Sequence, residues 1–395
     1  DSAATQAVFA SGHKVGELAQ SIFDPAGTGH LIDMQALGIA GAFAETVNLV
    51  TAAKPKAIFE AGFTADVTAK DAKNGGALAF ADVLLPDAAV DKTWHMIEVK
   101  SSTSVKDYHL DDAAIQSHVA RHSLAACGQT LASVSMAVID NQWVYAGDGN
   151  YQGLLKTQDV TAQSLARDGE VQTWIADAQS IAKRRAAPAR ATGEHCNTPF
   201  PCGFHGHCSV EDGTADMKAE FPIQWLPRIS QAKINAVFGK KKDQVVDARG
   251  LSMMDMPDEH LSAVQKRIKA AHKTGTAFVD AASIKRELAP HQPSKGRAAY
   301  FLDFETTMQT VPIWAGTRPY QTILYQFSCH VVRSDGSVEH TEFLDTSGGD
   351  PRPAIAAALV KALGEPSRAR PCVLVHARLL CRVAHATASR SDALR

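Results

Sequence analysis

The sequence predicts a mixed α/β protein of more than one domain, and three observations carry that expectation. At 395 residues the chain exceeds what one ordinary hydrophobic core organises, so two or three domains are expected. Segments of polar–apolar alternation, the strand signature, lie around Ala79–Ser102, Tyr300–Thr306 and Thr322–Leu344. Between and around them, apolar residues recur at helical spacing, as in Ala3–Gln20, Ile32–Leu49 and the run after Lys100.

Charge and composition narrow the class. Forty basic residues against 42 acidic ones give a net charge of -2, so no global positive field advertises nucleic acid and any such contact must come from local patches. Lys183-Arg184-Arg185 and Lys240-Lys241-Lys242 are candidates, although such runs more often form solvated faces. No apolar run reaches membrane-span length and no signal-peptide pattern opens the sequence, so no membrane partner and a cytoplasmic setting are expected. The first residue is Asp1 rather than Met, which reads as a fragment or a processed product.

The most informative segment is Ala79–Ser102, AFADVLLPDAAVDKTWHMIEVKSS. It reads as two strands joined by a polar loop, with Asp82 on the first and Glu98 and Lys100 on the second. Side chains two apart share a face, so Glu98 and Lys100 point one way while Ile97 and Val99 point into the apolar side. Pairing of the strands brings Asp82 to that same face. Two carboxylates beside one ammonium on a rigid sheet can hold a divalent cation and a phosphodiester. An E-x-K is more often an exposed ion pair of small energetic value, but the context here is helpful. A polar turn follows, then a helix with Leu110, Ala114, Ile115 and Val119 at helical spacing and Gln116 within it.

Seven cysteines, an odd number unevenly spread, do not read as a disulfide framework. Cys196, Cys202 and Cys208 lie in GEHCNTPFPCGFHGHC, a segment too polar and too rich in Gly, Pro and His to order itself by apolar burial. Metal ligation would order it. A [4Fe–4S] cluster asks for four thiolates, whereas structural zinc would take the three cysteines and one of His195, His205 or His207. The spacing alone leaves both open. Residues 217–290 then carry amphipathic helical stretches such as His260–Ala271 with no strand alternation, and read as a connector.

A second acidic motif opens at Tyr300, YFLDFET. Alternation puts Tyr300, Leu302 and Phe304 on one face and Asp303 and Glu305 on the other. An acid pair in an apolar strand is costly to bury without a cation. Thr322–Val332 and Ser337–Leu344 alternate as further strands, Asp350–Leu363 is helical, and Cys372–His376 suits a fourth strand. After Val375 the chain turns to Arg and Ala, with Asp392 as its one remaining acid. This tail reads either as a reading-frame change or truncation, or as a disordered basic segment.

Asp82 with Glu98-x-Lys100 resembles the core of the PD-(D/E)xK nuclease superfamily, and RecB-type nucleases within it. The resemblance implies a restriction-endonuclease-like fold in which Asp82, Glu98, Lys100 and Gln116 are catalytic and Asp82 and Glu98 bind Mg²⁺ or Mn²⁺. The Tyr that usually follows the helix Gln by four positions is replaced by Ala120. Glu45, Glu60 and His13 match accessory positions of relatives. The same resemblance implies that Cys196, Cys202 and Cys208 join an upstream fourth cysteine at an iron–sulfur cluster. No cysteine precedes Cys127 here, so the fourth ligand is missing and an N-terminal segment is inferred to be lost. YFLDFET resembles the first strand of DnaQ-like, RNase H-fold exonucleases, which implies metal binding by Asp303 and Glu305. The later carboxylates of that fold are missing, so this half-domain is expected to be inactive. The order of parts over 1–375, with GTRPYQ at Gly316–Gln321, resembles a bacterial family catalogued as a domain of unknown function, number 2779.

These readings give five segments: a nuclease-like domain over 1–192, a Cys-rich metal segment over 193–215, a helical connector over 216–296, a partial RNase H-like domain over 297–376 and an aberrant or disordered tail over 377–395. The expected activity is metal-dependent hydrolysis of phosphodiester bonds, of DNA rather than RNA. The alternative is a non-catalytic nucleic-acid-binding or scaffold protein with incomplete sites.

Overall fold

The computed structural model describes residues 3–65, 76–197, 199–216, 219–239, 246–295, 297–364 and 372–374. The basic run 240–242 and the tail 377–395 lie outside the described residues. Two compact units are formed. One combines Asp1–Lys183 with Pro290–Arg395, and the other is Arg184–Ala289. Among the described residues, no helix is long and apolar enough to cross a membrane.

The first unit begins with helix α1 (Ala3–Phe23), the short strand β1 (His30–Leu31) and helix α2 (Met34–Val50). Asp33 caps α2, its carboxylate accepting from the backbone N–H groups of Gln35 and Ala36. Strand β2 (Ile58–Ala65) is followed by β3 (Ala77–Pro86) and β4 (Thr93–Lys100), then helix α3 (Asp107–Ala126), β5 (Thr130–Ile139), β6 (Leu155–Asp159), α4 (Thr161–Ala166) and α5 (Asp168–Ala182). The expected strand pair around the polar loop and the helix after Lys100 are both present. The six strands form one mixed sheet in the order β1 to β6, antiparallel at β2–β3, β3–β4 and β5–β6, and parallel at β1–β2 and β4–β5. The parallel β4–β5 pair requires a crossover, which α3 supplies.

Helices α2 and α3 cover one face of this sheet and α1 the other. The larger core lies under α2 and α3, where Ala42, Ala113, Val119, Ala120 and Leu124 meet Ile58, Phe63, Trp94, Met96 and Met136. Ala120 is fully buried here and fits that close helix–sheet contact. At the α2–β2 contact the Thr46 hydroxyl donates to the Ala42 carbonyl and accepts from the Gly62 N–H, satisfying a strand donor from a helix side chain. Gly62 is required by this approach: a Cβ there would lie 2.9 Å from the Phe43 ring and 3.0 Å from the Phe80 ring, which stack on each other.

The second unit carries α6 (His205–Glu211), α7 (Gln231–Phe238), α8 (Ala263–Thr274) and α9 (Ala281–Leu288). Its own small core gathers Ile223, Leu226, Ile234, Met253, Met256 and Leu261. Helix α8 starts with a reciprocal capping box between Ser262 and Gln265 and ends at left-handed Gly275.

The chain then returns to the first unit and builds a second sheet. It comprises β7 (Ala299–Met308), β8 (Thr322–Val332), β9 (Val338–Leu344), helix α10 (Arg352–Leu363) and β10 (Cys372–Leu374), in strand order β10-β7-β8-β9. Strands β7, β8 and β9 are antiparallel and β10 runs parallel to β7. Helix α10 packs Ile355 and Leu359 against the face carrying Leu302, Phe327 and Cys329.

Replacing Gly62 by Ala drives a methyl group into two stacked rings. Overpacking of this kind costs about 1–3 kcal/mol, so Gly62→Ala is expected to lower the urea unfolding midpoint without altering the slope. An unchanged midpoint would show that the rings separate freely.

Candidate active site

The first sheet aligns three acids across adjacent strands. Pairing of Phe59 with Val83 and of Ala61 with Ala81 sets Glu60 opposite Asp82. Pairing of Val83 with Ile97 sets Asp82 opposite Glu98. Glu60 has φ 57°, a left-handed backbone that costs a non-glycine residue about 1–3 kcal/mol and in native proteins gathers at functional sites. Side-chain alternation slips by one residue there. Ile58 and Ala61 both belong to the core under α2 and α3, while Phe59 lies in the core on the opposite side. Strand β3 slips at the same level, with Ala81 and Leu84 in the first core and Val83 in the second. Strand β4 does not slip: Trp94 and Met96 face α3, and Glu98 and Lys100 continue that row.

The polar contacts at this level are short and specific. One Asp82 oxygen accepts the Val99 N–H at 2.6 Å, which ties the β3 acid to the backbone of β4. The Lys100 ammonium donates to Glu98 at 2.7 Å and to Asp112 on α3 at 2.6 Å. Glu98 is 5% exposed, and its second oxygen, Oε2, has no hydrogen-bond partner. The Gln116 side-chain oxygen is likewise buried and partnerless. Orphaned buried acceptors are rare in folded proteins and call for an explanation.

Electrostatics follows from this crowding. Burial, reinforced by the neighbouring Asp82 charge, pushes the Glu98 carboxyl up to about 8. Burial, with help from Glu60, raises Asp82 to about 6 against the opposing Val99 hydrogen bond. Glu60 is exposed, but partial desolvation beside the sheet raises its carboxyl, with Glu98 adding to the shift. Burial works against the Lys100 charge, but Glu98 and Asp112 outweigh it and hold the ammonium above its ordinary value. Lys100 is therefore a fixed positive charge and not a proton acceptor near neutral pH.

Among the described residues, no group of three or more His, Cys, Asp or Glu side chains stands close enough to enclose a metal ion. The donor set nonetheless fits a hard divalent cation. The Lys100 ammonium is shared by Glu98 and Asp112 and also acts on Asp82, and Glu98 presents an unused buried oxygen. Mg²⁺ in particular needs only one or two carboxylates when a substrate phosphate and waters complete its shell.

Apart from Gln116, the remaining sequence candidates lie elsewhere. Gln116 sits on α3 one turn beyond Asp112, so the two share a helix face. His13 is exposed on α1. Glu45 on α2 accepts a hydrogen bond from Asn48 at 3.3 Å. Cys196, Cys202 and Cys208 belong to the second unit and are free thiols, buried, exposed and half-buried respectively. The Cys202 N–H donates to the Cys196 carbonyl at 2.7 Å, and among the described residues the thiols join no group of three or more ligating side chains. Asp303 and Glu305 are exposed on the face of β7 away from α10. Asp112 was not among the sequence candidates. Its position four residues before Gln116 on the same helix was the available signal, obscured because Asp111-Asp112 reads as a solvated pair.

Residues 300–383 match the family described as a domain of unknown function, DUF2779. This bears out the family resemblance for the stretch that holds the second sheet, and leaves the six-stranded sheet outside the match. No curated protein and no solved structure matches the chain.

Two outcomes test this electrostatic picture. A carboxyl whose folded-state pKa lies above its unfolded value binds more protons when folded, so stability falls as pH rises between the two values. For Glu98 that window runs from the ordinary carboxyl value of 4.5 to about 8. The metal-free protein should lose stability across it in thermal melts, and Glu98→Gln should flatten the loss; an unchanged profile would refute the burial assignment. Separately, Asp112→Asn removes one of the two carboxylates holding Lys100. It should lower the Lys100 pKa, measured by the pH dependence of its acylation rate, and no decrease would mean that Asp112 does not hold the ammonium.

Proposed function

We propose that the first sheet carries a metal-dependent nuclease site that hydrolyses phosphodiester bonds, of DNA in the first instance, on a PD-(D/E)xK-type core. The observation that carries this reading is the buried, partnerless Glu98 Oε2 beside Asp82 and a permanently charged Lys100. A structural ion pair would satisfy all its oxygens in place. This one leaves an acceptor aimed at nothing in the protein.

Asp82 and Glu98 would hold Mg²⁺ or Mn²⁺, which when bound supplies Lewis-acid polarisation of the phosphate. The protein's residues supply the rest. Lys100 faces the non-bridging phosphate oxygens and stabilises the negative charge that grows on them. The Gln116 oxygen accepts a hydrogen bond from the attacking water and orients it. The water oxygen bonds to phosphorus and gives up a proton to bulk water, the ester P–O bond breaks, and the leaving oxygen takes up a proton from bulk water. Because both site carboxyls retain protons into the neutral range, cation binding should release protons and tighten as pH rises through about 6 to about 8.

The test is cleavage of labelled single- and double-stranded DNA with Mn²⁺ and with EDTA. Asp82→Asn, Glu98→Gln and Lys100→Met should each reduce the Mn²⁺-dependent rate by about a hundredfold or more, with the fold retained by circular dichroism. The double substitution Asp303→Asn, Glu305→Gln should leave the rate unchanged, since those acids project from an open strand face with no third carboxylate beside them among the described residues. Cleavage that survives Glu98→Gln would mean that the site is structural, and DNA retention without cleavage would favour the scaffold alternative.

A further inference from the structure

The segment joining β7 to β8, residues 309–321, does not make a short hairpin. It leaves its own sheet and fastens onto the first one. The Ser11 hydroxyl on α1 donates to Thr310 at 2.7 Å. The Tyr151 hydroxyl donates to the Pro312 carbonyl at 3.1 Å. Tyr145 and the segment exchange two backbone bonds, the Tyr145 N–H to the Thr317 carbonyl at 2.9 Å and the Gly316 N–H to the Tyr145 carbonyl at 2.8 Å. Ala315 fills the space over Gly147, where a Cβ would come within 2.7 Å. Val311 enters the core with Val15, Ile139 and Leu154, and Thr317 is 3% exposed.

The last anchor reaches the candidate site. Tyr320 holds a left-handed backbone, φ 58°, a strained conformation for an aromatic residue that persists only where its surroundings enforce it. Its hydroxyl donates to the carbonyl of Ser101, the residue that follows Lys100. Its ring joins the same apolar cluster as the Val99 side chain. Val99 is also the residue whose N–H is held by Asp82. The end of β4 is thus gripped from the face opposite Glu98 and Lys100.

The geometry points to Tyr320 as a positioning residue for the candidate site. The strap 309–321 fixes the carboxyl end of β4 and with it the Lys100 ammonium, so the stretch matching DUF2779 serves the first sheet's site. The chemical meaning of that site rests on the nuclease reading, but the strap is testable without it. Tyr320→Phe keeps the ring and removes the bond to Ser101.

Two measurements on the full chain read the result. Acylation of Lys100, followed residue by residue by mass spectrometry, should accelerate by about fivefold, the factor carried by one net hydrogen bond, while other lysines stay unchanged. Amide hydrogen exchange over 99–102 should accelerate with it. Ser11→Ala, which cuts the strap's bond to α1, should leave both unchanged. If Tyr320→Phe does not fold, Gly147→Ala lifts Ala315 without touching β4 and should reproduce the Lys100-specific gain. Wild-type rates at Lys100 and 99–102, or a uniform rise at all lysines, overturns the positioning role. An absence of Mn²⁺-dependent cleavage by the wild-type protein, together with a Lys100-specific response to Tyr320→Phe, sinks the nuclease reading and leaves the strap standing.

Discussion

The structure turns on a carboxylate that is buried without enough positive charge to match it. Glu98 stands on a central strand of a six-stranded sheet, under α3, with Asp82 opposite and Lys100 two residues on. Burying an ionised acid is expensive unless it is paired and fully hydrogen-bonded. Here the pairing is partial, since Lys100 is shared with Asp112 and one Glu98 oxygen has no partner. The fold meets this by letting Glu98 and Asp82 keep protons to a higher pH than usual, and by fastening the surrounding backbone from several sides. Asp82 holds the Val99 amide, Asp112 holds the ammonium, and the strap holds the next carbonyl.

The strain at Glu60 belongs to the same constraint. A regular β2 would keep strict alternation, and a left-handed glutamate within it has no value to packing alone. The slip it introduces is matched in β3 at Asp82, so the two acids lie at one level of the sheet where alternation resets. Paired irregularities of this sort re-aim side chains next to functional sites.

Much of this site was legible in the sequence, for local reasons. Alternation over residues 79–86 and 93–100 marked both strands, helical spacing after Lys100 marked α3, and together they placed Asp82, Glu98, Lys100 and Gln116 on neighbouring elements. The strands and helix after Tyr300 were legible in the same way. Three features were not. The slip at Glu60 leaves no sign, because a residue that takes positive φ is ordinarily Gly or Asn and here is Glu. Asp112 is chosen by the geometry of Lys100, and a second Asp beside it looks equally polar. The strap depends on contacts more than 150 residues apart in sequence, such as Tyr151 with Pro312 and Ser101 with Tyr320, and no local pattern encodes such a distance.

The chain leaves its first unit at Lys183 and re-enters it at Pro290, which has a consequence for biosynthesis. Tyr320 emerges from the ribosome 220 residues after Lys100. At about 5–20 residues per second that is an interval of roughly ten to forty seconds. During it the six-stranded sheet can form, but the end of β4 waits for its clasp, and the apolar patch around Val15, Ile139 and Leu154 waits for Val311. The nascent protein thus passes through a stage in which its acid-rich centre is assembled but unlatched. The inserted unit, Arg184–Ala289, supplies about half of that delay, and a chaperone that shields exposed apolar surface would find its substrate in that window.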